Sequence, residues 1–138
     1  MAKLGDVYED LVLDAVLNQF DAATPVPLWF AVYLTDPIDD PTAEMTTTFD
    51  PAYSRQPLNS GRFAPASGGV TYYLDDVAFR VAYAEWPVIQ YWAVMSDETG
   101  QTADDVFFVG RIGDQNPGVV ILGGQARFRS GSWTVTLD

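Results

Sequence analysis

The sequence contains neither cysteine nor histidine, and its one lysine is Lys3. These absences exclude disulfide frameworks, the Ser-His-Asp and Cys-His catalytic arrangements and most zinc sites. A Ser-Lys catalytic pair would depend on Lys3, among the first residues of the chain, where order is least expected. A glycine-rich phosphate-binding loop with its lysine is also missing. We therefore expect a protein that is not an enzyme and that holds no cofactor or metal.

Positive charge is scarce, since nineteen acidic residues stand against seven basic ones and the formal net charge is −12. Such a surface repels phosphate backbones and anionic lipid headgroups, and it favours solubility. The N-terminal residues do not resemble a signal peptide, and no apolar run approaches the roughly 18 to 20 residues that span a bilayer. We therefore expect neither nucleic acid nor a membrane as a partner.

Pairs of acidic residues leave two chemical alternatives open. Pairs such as Asp75/Asp76 and Asp104/Asp105 could supply the acid and base of a glycosidase. Each pair lies beside turn residues, however, where aspartate commonly caps backbone amides. The cluster from Asp36 to Glu44 offers oxygen ligands that suit Ca²⁺, although its spacing matches no EF-hand.

Short apolar or alternating stretches, separated by turn residues, dominate the chain. The stretch 86–95 is rich in β-branched and aromatic residues, which predicts a central strand covered on both faces. Residues 106–112 and 119–122 are predicted to form a hairpin around the loop 113–118. With 138 residues and this pattern, we expect one mainly β domain, an antiparallel β-sandwich or jelly-roll-like fold. Its strand-rich core comprises 70–138 together with 27–35.

Residues 4–20 carry the helical pattern of the chain. Asp6 is placed to cap this predicted N-terminal helix, with Glu9 completing a capping box. Either this helix covers a sheet, or it mediates self-association, and the sequence leaves both interpretations open. Its apolar stripe is formed by Leu4, Val7, Tyr8, Leu11, Ala15 and Asn18, and Val12, Val16 and Phe20 widen it.

Residues 36–69 break the strand pattern and contain five of the nine prolines. A long segment of this kind inside a domain is usually a functional loop or a contact arm, so we expect an interaction surface here. Tyr72 and Tyr73 are predicted to be exposed on the strand that follows this segment, where they would suit a glycan. Arg127 and Arg129, on a late strand, would suit the carboxylates of a neighbouring subunit. The candidate interaction residues are Asp36, Asp39, Asp40, Glu44, Tyr53, Arg55, Arg62, Tyr72, Tyr73, Arg127 and Arg129.

Several stretches together resemble small tailed-bacteriophage virion proteins of the tail-fibre-like or capsid decoration (minor capsid) type. The resemblance covers most of the chain except 38–69, and it rests on 5–17, 28–37, 77–79, 86–100 and 126–137. It implies a structural protein without enzymatic activity, made in the host cytoplasm and assembled as a homo-oligomer, with a trimer favoured. The implied place is the outer surface of the head, where the protein would bind the major capsid protein and stabilise capsomer junctions. The alternative is a tail-tip or tail-fibre adhesin that binds a host surface glycan.

Overall fold

Residues 5–19, 25–112 and 120–137 are described by the computed structural model of the chain. Within these ranges the chain folds mainly into short antiparallel strands with one N-terminal α-helix, as the sequence predicts. The helix α1 spans Asp6–Leu13 and continues as a π-helical turn over Asp14–Asn18, and a 3₁₀ turn spans Ala103–Asp105. The strands are β1 (Leu28–Tyr33), β2 (Gln56–Leu58), β3 (Val70–Tyr72), β4 (Val77–Ala78), β5 (Tyr91–Met95), β6 (Val106–Arg111), β7 (Arg127–Phe128) and β8 (Thr134–Thr136).

Strands β1 and β5 form the centre of a four-stranded antiparallel sheet of order β2-β1-β5-β6. Each has one half-buried residue and is otherwise buried, which confirms that 86–95 supplies a central strand covered on both faces. The strand is shorter than predicted, because it begins only at Tyr91. Upstream, Trp86 N donates to Val120 O (2.9 Å), so the chain there pairs outside this sheet.

Two ribbons of two strands each, β3–β8 and β4–β7, cover one face of the main sheet. Aromatic side chains fill the space between the two layers. The ring of Phe30 lies 4.8 Å from that of Phe128 and 4.9 Å from that of Trp133, measured between centroids. Trp92 also lies 4.9 Å from Trp133. Such pairs each add about 0.5 to 1.5 kcal/mol beyond the burial of their area, so this layer is the main hydrophobic core.

Residues 120–126 pair with 79–86, which corrects the hairpin predicted between 106–112 and 119–122. The loop of that hairpin, 113–118, lies outside the described residues, and the described part pairs elsewhere. An apolar run indicates that a strand forms but not which strand it pairs with, and its partner can be distant in the sequence. The backbone hydrogen bonds run from Phe79 N to Ala126 O (2.9 Å), Ala82 N to Gly124 O (2.8 Å) and Trp86 N to Val120 O (2.9 Å).

Residues 36–69, predicted to form a functional loop or contact arm, are part of the folded domain. Strand β2 from this segment pairs with β1, and Met45 N donates to Val32 O (3.0 Å) further along the same edge. Met45 and Phe63 are buried with the core. The segment is therefore part of the folded structure, and its role as a partner-binding surface stays a prediction.

Gly110 in β6 lies opposite Trp92 in β5 and leaves room for its indole ring. A Cβ at this position would lie 2.8 Å from Trp92 Nε1 and closer still to two ring carbons. Real Cβ atoms do not approach other atoms so closely, and a buried indole on a central strand has little freedom to move. A side chain at position 110 therefore competes directly with Trp92.

We expect Gly110→Ala to lower the free energy of unfolding by about 1 to 3 kcal/mol, because the added methyl group overpacks the contact. Urea denaturation followed by tryptophan fluorescence measures the loss. In the double variant with Trp92→Phe the smaller ring relieves the clash. The loss of unfolding free energy in the double variant should therefore be smaller than the sum of the losses in the two single variants. Additive losses would contradict the assigned contact.

Candidate interaction surfaces

Helix α1 and its π-helical turn dock on the domain through polar side chains. Asp10, Asp14 and Asn18 follow each other at intervals of four residues, so they share one side of the helix. Each side chain accepts a hydrogen bond from a backbone N–H group of the irregular segment 63–69. These bonds run from Gly69 N to Asp10 Oδ1 (2.7 Å), Ala66 N to Asp14 Oδ1 (3.1 Å) and Phe63 N to Asn18 Oδ1 (3.1 Å).

The capping box predicted for Asp6 and Glu9 is wrong. The N-cap residue is Gly5, which makes no side-chain cap, and Asp6 is already helical. With Gly5 as the N-cap, Glu9 is the fourth residue of the helix, whereas a capping box needs its acidic side chain at the third. Glu9 is instead buried, and a Cβ at the neighbouring Gly69 would lie 2.6 Å from Glu9 Oε2.

Most of the described residues of the apolar stripe predicted for α1 point away from the domain. Val7, Tyr8 and Leu11 are 70%, 65% and 59% exposed, and Val12 and Ala15 are also exposed. These five residues are called the helix face below. Of the other stripe residues, Val16 and Asn18 face the domain, and Leu4 and Phe20 lie outside the described residues. The helix does pack on the core, but mainly through Leu13 and Leu17, which lie beside these five residues. Self-association through the stripe stays a proposal.

The inward apolar residues of the helix are Leu13 and Leu17, both fully buried. They belong to the main hydrophobic core, together with residues of the central sheet.

In the part of the chain that the structure describes, no helix is both long and apolar enough to cross a membrane.

A second group of exposed apolar residues lies on the ribbon that contains β4 and β7. Val81 and Tyr83 flank the buried Ala82 and are 49% and 70% exposed. Ile121 and Leu122, on the paired segment, are 62% and 67% exposed. This ribbon patch lacks the regular spacing of the helix face.

Three of the predicted interaction residues form a buried clamp. Arg55 donates from Nε to Glu44 Oε2 and from Nη2 to Glu44 Oε1, both at 2.8 Å. The Tyr53 hydroxyl donates to Glu44 Oε2 (2.8 Å). Arg55 also donates to the backbone carbonyls of Asp97 (2.7 Å) and Gly100 (2.6 Å). The clamp therefore fixes the turn after β5 to the segment 36–69.

The electrostatics keep this clamp as one ion pair with neutral tyrosines. Burial, and then the nearby Glu44 carboxylate, raises the pKa of Tyr33 to about 12 and that of Tyr53 well above its usual value. Burial disfavours the Arg55 guanidinium, but hydrogen bonds to Glu44 more than compensate, and the pKa of Arg55 is raised. Glu44, Tyr53 and Arg55 are thus occupied by each other and do not form a surface.

The two adjacent tyrosines predicted as exposed lie on opposite sides of β3 and its extension. Tyr72 is 42% exposed, whereas Tyr73 is 2% exposed. The Tyr73 hydroxyl accepts a hydrogen bond from Asn59 N (2.9 Å). The surface position predicted for Tyr73 is therefore wrong, because side chains alternate between the two sides of extended backbone.

The remaining basic candidates are exposed, and two of them interact within the chain. Arg62 forms two hydrogen bonds with Asp75, at 3.1 and 2.8 Å. Arg127 lies 3.9 Å from Asp76, and Arg129 is exposed. Whether these arginines contact another subunit stays a prediction.

The acidic candidates at the start of the segment 36–69 serve as turn caps. Asp36 Oδ1 accepts from Ile38 N (2.9 Å), and Asp40 Oδ1 accepts from Thr42 N (3.1 Å). Asp39 is exposed. Among residues 5–19, 25–112 and 120–137, no three acidic side chains converge as metal ligands would, so the calcium alternative gains no support.

Asp50 is a structural residue that the sequence interpretation missed. Its fully buried carboxylate accepts hydrogen bonds from Trp86 Nε1 (2.7 Å), Ala52 N (2.9 Å) and Tyr83 N (3.3 Å). Burial opposes the charge of Asp50, but these hydrogen bonds stabilise it, and the pKa lies below its usual value. In the sequence, Asp50 is only one acidic residue between Phe49 and Pro51. Nothing near it reveals that Tyr83 and Trp86, more than thirty residues away, donate to its carboxylate.

Breaking the clamp should destabilise the fold strongly. Arg55→Met leaves the Glu44 carboxylate buried without its cation, and we expect a loss of about 3 to 5 kcal/mol in the free energy of unfolding. Urea denaturation measures it. The matched control Arg62→Met removes an exposed ion pair and should cost much less. Similar losses in the two variants would contradict the role given to Arg55.

Asp50 should contribute to the acid sensitivity of the protein. Its folded-state pKa lies below the unfolded value of 3.8, so the carboxylate stabilises the fold above that pH and loses this effect as the pH falls through the folded-state pKa. Asp50→Asn should therefore be less stable at neutral pH and lose less stability between about pH 5 and pH 2. Urea midpoints across this range test it. Asp39→Asn, at an exposed carboxyl, should retain the wild-type pH dependence, and an unchanged dependence in Asp50→Asn would refute the assignment.

A comparison with known protein families gives a match that spans nearly the whole chain. The model of the family described as podophage GP4 fiber I protein gp80 matches residues 3–136. No curated protein matches the sequence significantly. The matched residues include the helix face, the main sheet and both ribbons. The resemblance to phage virion proteins is thereby confirmed at the level of a fibre-type protein, and the chain belongs to the podophage GP4 fiber I protein gp80 family, as a structural component of a phage virion.

Proposed function

We propose that the protein is a non-enzymatic subunit of a virion fibre and that it works through contacts with other subunits. The observation that carries the proposal is the uncovered helix face of a chain that matches a fibre protein family over residues 3–136. Five apolar side chains on one side of a helix are a feature that globular proteins normally bury. A contact role gives these residues a reason to be exposed.

The environments of the acidic pairs support a role without chemistry. Asp75 pairs with Arg62, and Asp76 Oδ1 accepts a hydrogen bond from Ser130 N (2.8 Å). Asp105 Oδ2 accepts from Thr102 N (3.1 Å), in the capping role common for turn residues. A glycosidase needs one free carboxylic acid and one carboxylate facing a common cleft. These carboxylates instead hold turns and arginines of their own chain.

The family description favours a fibre over the capsid shell as the place of the protein. Capsid decoration, with the major capsid protein as partner, and glycan binding by a tail adhesin stay predictions. The half-exposed Tyr72 remains a candidate for the glycan-binding role, whereas the buried Tyr73 does not.

Localisation in intact particles tests the proposal. We expect gold-labelled antibodies raised against the purified protein, together with cryo-EM of the particles, to place it at a small number of fibre positions. Antibody absorbed with excess protein provides the control. Labelling spread over the head surface would overturn the proposal in favour of capsid decoration.

A further inference from the structure

We propose that the helix face is a self-association surface, which binds the helix face of a second copy of this chain. The inference rests on the proposed function in that it names the partner of a fibre subunit. It concerns Val7, Tyr8, Leu11, Val12 and Ala15, all exposed.

The described carboxylates of the helix turn toward its own domain. Glu9 is buried, and Asp10 and Asp14 accept backbone hydrogen bonds from the domain. The docked helix therefore presents a side without charged groups. A partner of opposite charge would be recognised by outward carboxylates, and the helix face offers none.

The spacing of the exposed side chains suits packing against a second helix. Tyr8, Leu11 and Ala15 follow each other at intervals of three and four residues, which is the spacing of a helix that packs lengthwise against another helix. Ala15 is small enough to allow close approach at one end. A helix of the same sequence presents the same seam, so two copies match without any further element.

The charge of the whole protein restricts where two copies can meet. Two copies with a net charge of −12 repel each other over most of their surfaces. A stable contact between them needs a patch from which charge is excluded, and the helix face meets this condition. The same negative charge disfavours an anionic membrane as the occupant.

The size of the surface sets how strong the contact should be. Five side chains offer much less than the roughly 800 Å² per partner that a standard stable interface buries. The association of the free protein should therefore depend on concentration, and a fibre would add its own local concentration.

Sedimentation velocity over a concentration series tests the proposal with a matched pair of leucine variants. Leu11→Ser removes the centre of the helix face, and Leu122→Ser removes a leucine of similar exposure from the ribbon patch, 67% against 59%. We expect the wild type and Leu122→Ser to associate with rising concentration, and Leu11→Ser to associate about tenfold or more weakly. Because both leucines are exposed, all three proteins should have similar urea midpoints.

Cysteine cross-linking gives a second readout that does not depend on weakening the contact. The natural chain has no cysteine, so a single Leu11→Cys can form a disulfide only between copies. Mild oxidation should give a covalent dimer of Leu11→Cys and little dimer of Leu122→Cys.

Three outcomes would overturn the proposal: a wild type that stays monomeric at all concentrations, stronger effects at Leu122 than at Leu11, or binding to neutral lipid vesicles without self-association. None of them bears on where the protein lies in the particle. Conversely, labelling of the head would reject the fibre assignment and leave this test unaffected.

Discussion

Irregular backbone inside a folded domain must find hydrogen-bond partners, because an unpaired buried N–H or C=O group costs about as much as a lost hydrogen bond. This constraint accounts for the positions of several charged residues of the protein. The strands are short, and much of the described backbone lies outside them, without a neighbouring strand. Side-chain acceptors and donors take the place of that strand: Asp10, Asp14 and Asn18 serve the segment 63–69, Asp50 serves two amides, and Arg55 serves two carbonyls.

The exposed helix face follows from the same requirement. A helix between a core and solvent normally buries its apolar side, because burial of each large apolar residue contributes about 1.5 to 3 kcal/mol. Here the neighbouring surface is a row of backbone amides, and only a side with acceptors can satisfy them. Leu13 and Leu17 still reach the core beside the acceptors, so the docking combines hydrophobic and polar contacts. The five residues of the helix face are left outside.

Sequence patterns predicted the elements better than their partners. The mainly β class, the central strand and the N-terminal helix follow from local periodicity and residue type, and the structure confirms them. Strands β7 and β8 are neighbours in sequence, yet they pair with β4 and β3, since pairing depends on contacts between distant residues. The acceptor stripe of the helix was visible as Asp10, Asp14 and Asn18, but its donors lie 45 to 59 residues away. Likewise, nothing local distinguishes Glu44 and Arg55 of the clamp from ordinary loop charges.

The distribution of charge also bears on how specific an assembly contact can be. Selective association requires that wrong orientations be unfavourable, and not merely that the right one be favourable. With the exposed acidic side chains spread over the surface, most ways of bringing two copies together place like charges near each other. An uncharged helix side then gains selectivity from the repulsion around it, even though its area is small. The inward-turned carboxylates of α1 therefore contribute twice: they hold the helix on its own domain, and they keep charge away from the helix face, where we propose that another copy binds.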